Sequence, residues 1–188
     1  MKKLDSKKII MGIDPGTNIL GYGVIAIDQG GPELLTLGTL DMRKEKDPFK
    51  KLDTIFTDTG KIMDLYRPDY VSIESPFYGK NPQVVLKLGR AQGAAITAAL
   101  HRGIPVHEYA PRKAKIAITG SGSASKEQVC NMICHILSVD LQPEHLDATD
   151  AVAIALCHYY QLTNPVAGVK SSSDWTKFIE ANPGRIKK

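Results

Sequence analysis

Two periodicities share the chain: short apolar runs near its start, and apolar positions at helical spacing further on. Lys8-Ile9-Ile10-Met11-Gly12-Ile13-Asp14 reads as a buried strand stopped by Pro15-Gly16. Leu20 to Ile27 alternates imperfectly among glycines and ends at Asp28-Gln29-Gly30-Gly31, a hairpin-turn composition, and Glu33 to Met42 supplies a third strand. Asp47-Pro48 opens a helix with Leu52, Ile55, Phe56, Ile62, Met63 and Tyr66 near helical spacing, ending before Arg67-Pro68. Asp69 to Glu74 predicts a short strand, Pro82 to Leu100 a long helix closed by Gly103, and Ile104 to Glu108 a fifth strand. A short basic helix (Pro111 to Ile118), the loop Gly120-Ser121-Gly122-Ser123, a helix over Lys126–Leu137 and a last one over Leu146–Tyr160 complete the pattern. Strands first and then strand–helix alternation predict an α/β fold, a mixed sheet flanked by helices. Residues 163–188 lose periodicity and read as a flexible C-terminal tail, leaving 1–162 as the folded domain.

Composition narrows the class. A chain of 188 residues, 43% hydrophobic and 23% charged, is an ordinary globular domain that buries enough surface to fold without metal or disulfide staples. No apolar run approaches the roughly 18 residues of a membrane span, and the first residues lack a signal-peptide core. Three cysteines without framework spacing fit a reducing, cytoplasmic setting. Net charge is +4 but unevenly spread. Residues 76–126 hold Lys80, Lys87, Arg90, Arg102, Arg112, Lys113, Lys115 and Lys126 against one acid, Glu108, a balance of +7; the rest of the chain carries −3. Either one face is built for a polyanion such as nucleic acid, or this is a solvated basic surface.

Four acids stand out. Asp14 and Glu74 each end an apolar strand, and Asp147 and Asp150 lie three apart on one face of the last helix, a face that continues through Ile154. Taken singly, Asp14 could be a turn residue, and Asp147 with Asp150 a helix cap and its partner. Glu74 is harder to dismiss, because a buried carboxylate without a partner is costly. Carboxylates converging at strand ends would be forced to protonate unless a cation neutralised them. Oxygen-only ligands select Mg²⁺ or Mn²⁺ over zinc, and two such ions about 4 Å apart serve in-line phosphoryl displacement. An acidic cluster interrupted by a strongly basic segment describes a nuclease.

Gly12-Ile13-Asp14-Pro15-Gly16-Thr17, followed by Gly21-Tyr22-Gly23-Val24-Ile25, closely resembles the opening of the RuvC-type Holliday junction resolvases. Ile73-Glu74-Ser75-Pro76-Phe77, Leu86-Lys87-Leu88-Gly89-Arg90-Ala91-Gln92-Gly93, Gly120 to Lys126 and Asp147-Ala148-Thr149-Asp150-Ala151 match in order, so the resemblance spans about residues 8–160. It implies an RNase H-like fold, a five-stranded mixed sheet with helices on both faces. It implies a homodimer that nicks opposing strands of a four-way DNA junction symmetrically, in recombination and repair, with the RuvA–RuvB branch-migration complex as a further partner and no membrane. Asp14, Glu74, Asp147 and Asp150 match the catalytic, metal-binding acids, which hold two Mg²⁺ per site with Mn²⁺ as substitute; the Asp147 position is a histidine in some relatives. Phe77 matches an aromatic that stacks on unpaired bases, and Lys115 and Lys126 match basic residues near the scissile phosphate. Lys80, Lys87, Arg90 and Arg112 complete the expected DNA-binding set.

Other features are weaker. Phe77-Tyr78 beside Lys80 suits base stacking at a catalytic rim but equally a packed core aromatic. Lys126 opposes the dipole at a helix start, which favours a phosphate partner. The small residues of the long helix, from Gly89 to Ala99, suit close approach of either the sheet or a second subunit. Cys130, Cys134 and His135 lie on one amphipathic helix and read as core or bystander residues, and His107 and His158 as packing or surface residues; His145 lies near the acids and could assist them. Two rivals remain. Asp14-Pro15-Gly16-Thr17 also fits the phosphate turn of actin-, Hsp70- and sugar-kinase-type ATPases, although 188 residues lack their second lobe. A junction-binding module without cleavage is the other.

Overall fold

Alternation along the first strand sends successive side chains to opposite sides. In the computed structural model, which describes residues 7–76, 81–141 and 146–163 (the Asp147 side chain excepted), β1 (Lys8–Asp14) buries Ile10 against one helical layer and Met11 and Ile13 against the other. β2 (Ile19–Asp28) and β3 (Gly31–Asp41) continue it as an antiparallel meander. Their two-residue turn is held by Asp28, whose Oδ1 accepts from the Gly30 amide at 2.7 Å, and Gly31 takes φ +111°. β4 (Tyr70–Glu74) and β5 (Val106–Tyr109) add in parallel, giving the order β3-β2-β1-β4-β5. This is the five-stranded mixed sheet of the RNase H-like expectation.

Helices α1 (Pro48–Tyr66) and α2 (Pro82–His101) make the two crossovers and cover one face; their core joins Ile55 and Met63 to Ala91, Ala95, Ala98 and Ala99. Asp47 and Asn81 cap them, each standing before the proline that starts its helix and accepting through its side chain from the amide just after that proline, Phe49 and Gln83 respectively. Helices α3 (Pro111–Thr119), α4 (Lys126–Leu137) and α5 (Leu146–Thr163) cover the other face. α5 is buried along nearly its whole length from Ala148 to Tyr159 and packs on β1 and β2. Boundaries lie within about two residues of the sequence reading except at the end of α5, which runs three residues past Tyr160 to Thr163, one residue into the expected tail. Residues 164–188 lie outside the described residues. Among the described residues no helix is long and apolar enough to cross a membrane.

Candidate active site

β1 and β4 run parallel with Ile13 beside Ile73, so the next residue of each, Asp14 and Glu74, sits at neighbouring strand ends. Adjacent strands lie about 4.8 Å apart. The third element is α5, whose first turns carry Asp147 and Asp150. Gly12 is what lets it in: a Cβ there would stand 1.9 Å from the Ala151 carbonyl oxygen and 2.8 Å from the Ala155 nitrogen. The helix therefore rests on bare β1 backbone, and its acidic end reaches the two strand ends. Asp147 is the second residue of α5, inside the helix and not its N-cap, and its side chain lies outside the described residues.

The electrostatics record the convergence. Burial pushes the Glu74 carboxyl up to about 8, and the charges of Asp14 and Asp150 push it in the same direction, while Lys126 and Lys115 oppose them. Both lysines come from the layer over this end of the sheet. Lys126 opens α4 behind a complete capping box of Ser125 and Gln128, and its Nζ lies 2.7 Å from Asp150 Oδ2. Lys115 Nζ donates to the Ala124 carbonyl at 2.7 Å, tying α3 to the loop that precedes α4. Arg112 lies over the same loop, where a Cβ on Gly122 would meet its Cγ at 2.6 Å.

Three of the four predicted acids and two of the predicted lysines thus share one site. Lys87 and Arg90 are exposed on α2, on the other side of the strand ends. Phe77, Lys80 and His145 lie outside the described residues. Sequence reasoning passed over Gln92. Its side-chain amide donates to the Glu74 carbonyl at 3.2 Å, anchoring α2 to the end of β4. Its signal was a lone polar residue among Ala91, Ala95, Ala98 and Ala99 on the buried side of α2. Cys130 is buried, with its thiol pushed up chiefly by burial, and His135 is exposed, as bystanders should be.

Among the described residues no three Asp, Glu, His or Cys side chains close to metal-holding separation. The donor chemistry nonetheless suits a hard divalent cation: oxygen ligands only, with one carboxyl pushed toward its protonated form by burial first and by two neighbouring negative charges second, a cost that a positive charge relieves. The Lys126 ammonium supplies part of that charge at Asp150.

Comparison with known proteins gives the family. The family described as crossover junction endodeoxyribonuclease RuvC matches residues 10–158. A crossover junction endodeoxyribonuclease RuvC of Bacteroides fragilis is 50% identical over 184 residues, covering 96% of this chain and 97% of that protein. RuvC of Thermus thermophilus superposes with a TM-score of 0.74 at 32% identity, covering 82% of this chain and 95% of that one. The same protein in complex with a Holliday junction substrate gives 0.73 at 30% identity, with 82% and 94% covered. The chain belongs to the RuvC family of crossover junction endodeoxyribonucleases.

Proposed function

We propose that this protein is a structure-selective endonuclease that resolves four-way DNA junctions by paired symmetric nicks, with Asp14, Glu74, Asp147 and Asp150 as its catalytic acids. The observation that carries the reading is the half-buried carboxyl of Glu74, within reach of the charges of Asp14 and Asp150 and of Lys115 and Lys126, in a chain that belongs to this family. The family's enzymes are metal-dependent nucleases. On this reading the acids hold two Mg²⁺, or Mn²⁺ in their place, which supply the charge that stabilises the attacking and leaving oxygens of an in-line displacement at phosphorus. Lys126 exchanges its Asp150 partner for a substrate phosphate, and Lys115, whose ammonium donates to the Ala124 carbonyl, offers a second cation to the same strand. Arg112 extends the basic rim, and on family grounds Lys80 contacts the DNA and Phe77 stacks on a base unpaired at the crossover. Gln92 holds the Glu74 backbone in place while α5 presents its acids.

Paired nicking needs two sites. We infer a homodimer through α2, whose Leu86 and Leu100 are each 59% exposed and whose Gly89 and Gly93 face open space between them. The RuvA–RuvB branch-migration complex is proposed as a further partner on family grounds. Cleavage of a mobile four-way junction against linear duplex, with and without Mg²⁺, tests the function, and sedimentation tests the dimer. Metal-dependent cutting confined to the junction is expected. Junction binding without cutting would leave a binding module, and ATP protection without junction affinity would favour the nucleotide-binding rival.

A further inference from the structure

A cleft of about 390 Å³ opens between the N-terminal turn of α1 and the middle of α2. Thr17 and Asn18, three and four residues after Asp14, form one end. Lys46, Lys51, Lys87 and Arg90 line it, and none of the described residues that line it is acidic. Among the described residues no carboxylate forms an ion pair with any of the four. The two acids that flank Lys46 bond to backbone: Asp47 caps α1 by accepting from the Phe49 amide, and Glu45 accepts from the Asp47 amide. Lys51 is half-buried, and its Nζ donates to Asn18 Oδ1 at 2.6 Å, which fixes a cation over the loop leaving the catalytic strand. The cleft also adjoins the acids through α2, since Ala91 lines it and the next residue, Gln92, holds the Glu74 carbonyl.

Four unneutralised cations repel one another in a concave site, and a polyanion relieves that cost. A sugar-phosphate backbone, with a charge every few ångströms, matches both the length and the sign of the cleft. We infer that this cleft is a second phosphate-binding subsite, which holds the backbone of a duplex arm on the α1–α2 side of the catalytic acids, with Lys46 and Lys51 acting beside Lys87 and Arg90. It rests on the junction-nuclease reading and adds to it a contact outside the α3–α4 basic rim. Lys46 and Lys51 come from the part of the chain whose net charge is negative, so only the fold reveals them.

The test is the salt dependence of four-way junction binding by the full chain. The double variant Lys46→Gln/Lys51→Gln should flatten the log–log salt slope by about two units, at roughly 0.9 per phosphate contact. Lys61→Gln, which removes an α1 charge paired with Asp58 outside the cleft, should leave the slope at the parental value. Lys46→Gln alone, at an exposed side chain, should flatten it by about one unit and serves if the double variant fails to fold. A parent that binds and cuts junctions while both cleft variants keep its slope overturns the subsite and leaves the nuclease reading standing. A parent that neither binds nor cuts overturns both. Thermal protection of the parent by ATP that disappears in the double variant, with the junction slope unchanged, would give the cleft to a free nucleotide. A changed sedimentation coefficient with unchanged slope would give it to a protein interface.

Discussion

β4 carries a buried ionisable contact at each end, and the two are built differently. Tyr70, Ser72 and Glu74 all face α5, while Val71 and Ile73 face α1 and α2. Four strand residues span about 13 Å, and the eight residues from Asp150 to His158 rise about 12 Å along the helix. α5 therefore lies antiparallel over β4, with Asp150 at Glu74 and His158 at Tyr70. Burial drives both groups toward neutrality, Glu74 up to about 8 and His158 down to about 4. Their neighbours then part company. His158 meets rings: it stacks on His107 at 4.3 Å, meets the edge of Tyr70 at 5.0 Å, and shares a 2.7 Å hydrogen bond between Nδ1 and the Tyr109 hydroxyl. Glu74 meets charges of both signs beside a basic rim. One penalty of burial thus serves packing at one end and, on the proposed function, chemistry at the other. Convergent like charge distinguishes the proposed catalytic end; a shifted pKa by itself does not.

The largest expected effect lies at the charged end. Asp14→Asn keeps the side chain's shape and one oxygen but removes its charge, so cleavage in Mg²⁺ should fall by more than about a hundredfold, with junction binding largely kept. Residual cutting above a few per cent of the parent rate would return Asp14 to the role of a turn residue. Phe77→Ala should cost about ten- to a hundredfold in junction cleavage while melting near the parent, because one base stack is worth roughly 1–3 kcal/mol. A strongly destabilised alanine variant would instead place that ring in the core.

Next comes pH, where the two ends oppose each other in the metal-free protein. His158 stays neutral when folded but binds a proton when unfolded. Its contribution is complete above its ordinary value of 6.5 and is lost as pH falls from there to about 4. Glu74 stays protonated when folded but ionises when unfolded, so its burial destabilises progressively as pH rises from 4.5 to about 8. Between about 4.5 and 6.5 the two slopes cancel, each at most about 1.4 kcal/mol per pH unit. Glu74→Gln should therefore expose the acid-side loss, with melting temperature rising with pH up to 6.5. His158→Phe should expose the other, with melting temperature falling as pH rises toward 8. Melting in EDTA across this range checks both, and parallel curves for the two variants would mean that the ends are not distinct.

Much of this was legible from residue order, because alternation and helical spacing depend on local chemistry. The start of α4 coincides with the sequence reading because Ser125 and Gln128 form a local capping box there. The acids were legible as interrupted patterns: Asp14 and Glu74 each close an apolar run. The partner of Glu74 on α2 was not, since Gln92 is a polar residue whose contact is eighteen positions away in sequence. Nor was the α1–α2 cleft, because summing charge along the chain assigns Lys46 and Lys51 to an acidic remainder while the crossovers bring them beside Lys87 and Arg90. The capping alternative for Asp147 failed for a local reason: α5 begins at Leu146, one residue earlier.

The smallest effect tests how the charged end holds its substrate. Lys126 is already paired with Asp150 at 2.7 Å, with 48% of the lysine side chain exposed against 16% of the aspartate's. An ion pair of that exposure contributes little to stability, so Lys126→Ala should leave the melting temperature nearly unchanged. Its role shows only when a phosphate takes the ammonium. Losing one phosphate contact should flatten the log–log salt slope of junction binding by about one unit, roughly half the change expected from the double variant of the α1–α2 cleft. Lys126→Arg should restore the slope, since a guanidinium carries the same charge to the same phosphate. At the histidine end no substitution should move the slope, because His158 is buried away from solvent. An alanine variant with parental slope and parental cleavage would make Lys126 a surface partner of Asp150 and nothing more.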